Sequence, residues 1–184
     1  MQNGVEEMAD GAIQELIAWM KILLFTALVV LLARQFLFEP VEVHGTSMMP
    51  TFEEADKVLI VKISDIDNFD IIVFKAPGNR NFIKRVIGIP GDKVSMADDR
   101  LFLNGTPVEE AYLEENRALA QQQGSGKLTE DFGEFTVPGG AYFVLGDNRL
   151  NSVDSREIGF ILDQAVVGEV MLRLEPFKNL GAIE

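Results

Sequence analysis

The feature that limits this chain most is an uncharged apolar run, Ile22-Leu23-Leu24-Phe25-Thr26-Ala27-Leu28-Val29-Val30-Leu31-Leu32-Ala33. A helix that spans a bilayer needs about 20 largely apolar residues, so the run reaches that length only with its flanks. Leu16, Ile17, Ala18, Trp19 and Met20 precede Lys21, and Phe36, Leu37 and Phe38 follow Arg34 and Gln35. Lys21 and Arg34 do not interrupt the span, because their aliphatic stems stay in the apolar layer while the charged ends reach the interfaces. Trp19 suits an interfacial position. Residues 16–38 therefore read as one transmembrane helix, residues 1–15 as a tail on one side, and residues 39–184 as a domain on the other. A cleavable leader would require a small-x-small site after the run, and none clearly follows Ala33. The flanking charges leave the orientation open, since Glu6, Glu7, Asp10 and Glu15 precede the span and the positive-inside signal is nearly absent.

After the span the pattern changes from helical to β. Pro40 disfavours helical geometry at Glu39 and ends the helix. Val58-Leu59-Ile60-Val61, Ile71-Ile72-Val73-Phe74, Phe82 to Ile87, Tyr142-Phe143-Val144-Leu145 and the stretch from Val166 to Leu174 are short β-prone runs. Pro90-Gly91-Asp92 and Asn104-Gly105 are turn signals between such runs. Many short strands punctuated this way predict an antiparallel barrel or sandwich. One polar, helix-prone stretch, residues 109–123 followed by Gly124-Ser125-Gly126, reads as an excursion from the β core within about residues 105–135.

Charge and residue types exclude several chemistries. Asp and Glu number 29 against 16 Lys and Arg, a net charge of −13. Such a surface repels phosphate backbones, and no nucleic-acid partner is expected. The chain has no cysteine and a single histidine, His44. Thiolate catalysis, disulfides and Cys- or multi-His metal sites are excluded, and neither a metal nor another cofactor is expected. A serine nucleophile in this chain would need a base other than histidine: His44 is too near the candidate serine in sequence and reads as a surface residue of an alternating strand.

Three motifs carry candidate chemistry. The first is Gly45-Thr46-Ser47-Met48-Met49-Pro50-Thr51, a turn holding a serine. A nucleophilic serine requires a base within hydrogen-bond reach and donors for the developing oxyanion. The second is Phe82-Ile83-Lys84-Arg85-Val86-Ile87-Gly88-Ile89-Pro90-Gly91-Asp92. Strand alternation puts Lys84 on the face of Phe82 and Val86, with Arg85 on the other face. If that face is inward, burial lowers the lysine pKa, and a neutral amine can take a proton from a serine. The third is Gly146-Asp147-Asn148-Arg149-Leu150-Asn151-Ser152-Val153-Asp154-Ser155-Arg156. It reads as a rigid network in which Arg149 and Arg156 pair with Asp147 and Asp154 and Ser152 orients a polar neighbour. A calcium loop is disfavoured by Arg149 at a ligand position.

In this order, and behind one membrane span, the three motifs resemble the boxes of bacterial type I signal peptidases. The likeness extends over nearly all of the chain after the span, including Asn104-Gly105 and Val137-Pro138-Gly139. It implies a coiled antiparallel β-sheet catalytic domain and a serine endopeptidase that cuts signal peptides from exported preproteins after small-x-small sites. Ser47 would be the nucleophile and Lys84 the general base. Ser152 would orient the lysine, Asp154 and Arg156 would hold the site by an ion pair, and Asp147 and Arg149 would support it. Val43, Met48, Phe82 and Ile83 would line the substrate pockets, and the Ser47 N–H would serve the oxyanion hole. The resemblance further implies a cytoplasmic N-terminus, a catalytic domain outside the plasma membrane, and contact with the lipid bilayer. One departure is Gly45, where some members carry a serine that donates to the oxyanion. The rival from another class is an inactive homologue acting as a membrane-anchored assembly or binding factor. Its mark would be loss of Ser47 or Lys84, and both are present. A self-cleaving repressor with the same dyad would carry a DNA-binding domain, which the charge and the span oppose.

Overall fold

The computed structural model describes residues 2–76, 78, 80–124, 126–176 and 181–182, with side chains from residue 11 onward except those of 12 and 182. Two compact units divide between Glu39 and Pro40. The first is essentially one helix, α1 (Gln2–Phe36). Its apolar part, Ile13–Phe36, is long enough to cross a membrane, with a mean hydropathy of 2.5 over its most apolar 18 residues. The acidic segment read as a tail is thus helical in continuity with the span. The helix also ends two residues before the expected limit, with Leu37 N–H closing the last turn on Ala33. Phe38 already belongs to a strand, because Glu39 before proline favours extended backbone.

β1 (Phe38–Glu42) crosses the division, and the second unit contains β2 (Lys57–Val61), β3 (Ile71–Ala76), β4 (Arg80–Gly88), β5 (Lys93–Ala97), β6 (Arg100–Leu103), β7 (Thr106–Val108), α2 (Glu114–Gln122), β8 (Phe132–Thr136), β9 (Ala141–Leu145), α3 (Ser155–Ile158), β10 (Ile161–Leu162), β11 (Val166–Glu175) and β12 (Gly181–Ala182). The larger sheet runs β1-β2-β11-β3-β4-β9-β10 with β12 beside β11, and the smaller runs β7-β6-β5-β8. β2 and β11, β3 and β4, and β4 and β9 pair antiparallel, as do β5 and β6. The mainly β, antiparallel expectation holds. Pro40 lies in β1 at the outer end of the larger sheet, where a missing N–H costs no ladder bond. Asn104 and Gly105 both take positive φ, 55° and 78°, in the hairpin between β6 and β7, as a two-residue turn requires.

β4 is the strand that matters for the site. It lies between β3 and β9, and every residue from Ile83 to Gly88 is buried. Ile83 packs with Val43, Met48, Phe52, Val58 and Ile60, whereas Phe82 and Val86 pack with Ile72, Phe74 and Val144. Ile87 joins Val94, Met96, Leu101 and Phe143 where the smaller sheet begins. A strand buried on both faces must satisfy its two buried cations, Lys84 and Arg85, internally, since an unpaired buried charge is very costly. That requirement draws the three motifs to one place.

Candidate active site

The nucleophile turn is anchored by its apolar neighbours. Met48 and Phe52 are buried in the core, and Phe52 N–H donates to Met48 O at 3.0 Å. Ser47, immediately before Met48, is half-buried. Gly45 takes φ +89°, a backbone conformation that favours glycine, and its N–H donates to Glu54 Oε2. A serine at position 45 would therefore be strained in this turn. His44 lies just beyond β1 rather than within a strand, and its exposed ring is 3.6 Å from Glu54.

Lys84 Nζ lies 2.7 Å from Ser47 Oγ and donates to Ile83 O at 2.9 Å. The side chain is buried, with Nζ 5.1 Å from the centre of the Phe82 ring. Loss of hydration disfavours the ammonium and outweighs the Asp154 and Asp147 carboxylates, which favour it, so the lysine pKa falls from 10.5 to about 8. Near neutral pH a useful fraction of the amine is therefore uncharged, as a proton acceptor must be.

The loop from Gly146 to Arg156 clasps the nucleophile turn. Asn148 N–H donates to Ser47 O at 2.9 Å, and Asn148 Nδ2 donates to Thr46 O at 3.0 Å. Asn151 Nδ2 donates to Thr46 Oγ1 at 2.9 Å, and Thr51 Oγ1 donates to Asp147 Oδ2. Contact is closest at Gly146, where an added Cβ would stand 2.2 Å from Ser152 Oγ and 2.5 Å from Ser47 O. Only glycine leaves room for the two segments to meet there.

Asp154 and Arg156 form the expected pair. Arg156 Nε and Nη2 reach the two carboxylate oxygens at 2.8 Å each, and Gly146 N–H adds a third bond at 3.0 Å. Burial alone would raise the Asp154 pKa, but these donors outweigh it and hold the carboxyl below its usual range. Asp154 also caps α3.

The other expected pair is not formed. Asp147 is fully buried and is held by Arg85, whose Nε and Nη2 reach its two oxygens at 3.0 and 2.8 Å. With Thr51 added, the Asp147 oxygens are taken, and Arg149 pairs instead with buried Glu110 from the excursion. Arg149 also donates to Gly146 O at 3.1 Å and to Thr129 Oγ1 at 3.1 Å. Breaking such a buried pair by removing one partner costs about 3–5 kcal/mol, because the survivor is left charged and unpaired. Ser152 Oγ is buried without a hydrogen-bond partner among the described residues. The expected hydrogen bond to Lys84 is absent among the contacts of that ammonium, which go to Ser47 and Ile83 O. Of the expected pocket residues, Val43, Met48 and Ile83 come together in one cluster, while Phe82 lies on the other face of β4, edge-on to Phe74.

Sequence reasoning missed Arg85, Glu110, Asn116 and Thr51 as contributors to this network. Arg85 had a signal: an arginine in a buried strand demands a carboxylate. Tyr112 stacks on it, with the guanidinium 4.0 Å from the ring centre, and donates to Glu110 at 2.7 Å. Glu110 and Asn116 lie in a polar stretch with no local mark of their role.

Comparison with known proteins accords with this assembly. The family model described as "Signal peptidase, peptidase S26" matches residues 16–175. The chain is 40% identical over 181 residues to Signal peptidase I of Bacillus licheniformis, covering 95% of this chain and 97% of that one. It is 39% identical over 184 residues to Signal peptidase I T of Bacillus subtilis strain 168, covering 97% and 95%. A crystal structure of a signal peptidase I from Enterococcus faecalis V583 superposes with a TM-score of 0.54 at 39% identity, covering 58% of this chain and 97% of that one. A match of this length, with one apolar helix in front of a β domain, describes a single-pass membrane protein. The chain belongs to the signal peptidase I family of S26 serine peptidases, which remove signal peptides from exported proteins.

Proposed function

We propose that Ser47 and Lys84 form the catalytic dyad. The uncharged Lys84 amine takes the Ser47 hydroxyl proton as Oγ attacks the scissile carbonyl. The resulting ammonium then protonates the leaving amine, and the acyl-serine is hydrolysed by water that the lysine deprotonates in turn. The Ser47 N–H contributes to stabilising the oxyanion. A neutral amine has two hydrogens and one lone pair: with the lone pair on Ser47 and one hydrogen on Ile83 O, the second is available for Ser152 Oγ, which orients the base. Asp154 with Arg156, and Asp147 and Arg149 with their own partners, hold the loop that carries Ser152. The observation that carries the reading is the 2.7 Å approach of a buried lysine to the serine of the first motif.

Val43, Met48 and Ile83 on one face of β4, and Phe82 beside the Lys84 amine on the other, flank the scissile bond and admit only small side chains, and the substrates are signal peptides ending in Ala-x-Ala-like sites. The N-terminus is cytoplasmic and the β domain lies outside the plasma membrane, where translocated preproteins emerge. The test compares the full chain in detergent or lipid with its Ser47→Ala and Lys84→Ala variants on a preprotein bearing an Ala-x-Ala site. Cleavage at that site by the wild type alone is expected. Undiminished cleavage by either variant would refute the dyad.

A further inference from the structure

The excursion between β7 and β8 is more than a surface addition. Leu113 just before helix α2, Ala120 within it and Leu128 after it form a small buried cluster of the excursion's own. Leu113, Asn116 and Ala120 share one helix face by their spacing, so Asn116 is a polar residue on the inward stripe of a short amphipathic helix. Its side chain does not merely fill that position. Asn116 Nδ2 donates to Met49 O at 2.9 Å and to Asp147 O at 2.8 Å. A primary amide has two hydrogens to give, and here both are spent on carbonyls of different segments. Met49 belongs to the nucleophile turn. Asp147 belongs to the loop that clasps it and pairs with Arg85, the residue after Lys84. The start of the excursion is fixed to the same loop by the buried Glu110–Arg149 pair.

We propose that Asn116 is a positioning residue for the Ser47/Lys84 reaction, bracing the nucleophile turn against the loop whose Asp147 is paired beside the lysine. The inference rests on the dyad reading above. The amide acts through the two carbonyls it joins and does not touch the reacting atoms. Near-attack geometry is demanding: a 1 Å displacement of the nucleophile can cost on the order of 10²-fold in rate.

The test uses the full chain in detergent with Asn116→Ala and the isosteric Asn116→Asp, which keeps the shape but replaces the two donor hydrogens by an acceptor. Rates on a peptide bearing an Ala-x-Ala site are expressed per folded enzyme, with folding followed by near-ultraviolet circular dichroism and thermal melting. A fall in kcat of about tenfold or more for both variants, with KM within about threefold of wild type, is expected. Wild-type kcat per folded molecule in either variant would overturn the proposal: a role in fold stability alone would lower only the folded fraction, and a space-filling role would spare the aspartate variant. Ser47→Ala is run in parallel. If it cleaves like wild type, the dyad reading and this inference fall together. If it is inactive while the Asn116 variants are not impaired, only the inference falls.

Discussion

Raising the pH from 6 to 10 titrates the proposed base, and the structure says where the rate should level off. Burial brings the Lys84 pKa from 10.5 to about 8. The active form is the neutral amine, so activity is low below that value and rises through it. The neutral fraction is then roughly 1% at pH 6, about half at pH 8 and nearly all at pH 10, whereas an unperturbed lysine would be only about 0.3% neutral at pH 8. The logarithm of kcat/KM should therefore climb with a slope of about one up to pH 8 and reach a plateau by about pH 9. The assay is continuous cleavage of a fluorogenic Ala-x-Ala peptide by the full chain in detergent, with activity remeasured at pH 8 after exposure to each pH. A rise that continues undiminished to pH 10 would refute the perturbed lysine. A flat profile from pH 6 to 9 would refute a lysine base altogether, and an inflection near about 6.5 would point to histidine.

The same burial has a thermodynamic counterpart in Lys84→Met. The folded-state pKa is below the unfolded one, so wild type carries the whole cost of the buried ammonium below pH 8 and sheds it as pH rises from 8 to 10.5. That cost is about 3 kcal/mol at most, offset in part by the two hydrogen bonds lost in the variant. Urea unfolding at pH 7 should find inactive Lys84→Met the more stable, with the gap closing above pH 8; a difference independent of pH would contradict it. Gly146→Ala should act through geometry, since its Cβ would meet Ser47 O at 2.5 Å and backbone must shift. A loss of about 10²-fold in kcat is expected, with destabilisation of about 1–3 kcal/mol, measured by the peptide assay and thermal melting; unchanged kcat would show that Ser47 tolerates the displacement.

The apolar run and the strand-and-turn pattern disclosed a spanning helix and an antiparallel β domain, because hydropathy over such windows and turn chemistry are local properties. Ser47 and Lys84 were legible through motif order and through the apolar residues around the lysine, which already implied burial. Pairing inside the loop was less legible. Opposite charges close in sequence made Arg149 and Asp147 look like partners, yet Asp147 bonds to Arg85 62 residues away and Arg149 to Glu110 39 residues away. Burial of both carboxylates, Asp147 in the loop and Glu110 in the excursion, beside those guanidinium groups selected the partners, and no local pattern records it. Asn116 is a further case: its neighbours in sequence describe only a polar helix, while its two acceptors come from segments 67 and 31 residues distant. The sequence by itself determined which residues are capable of the chemistry. The tertiary structure alone decided which buried donors and carboxylates hold them in place, because those partners meet only when the β sheets, the excursion and the final loop have packed.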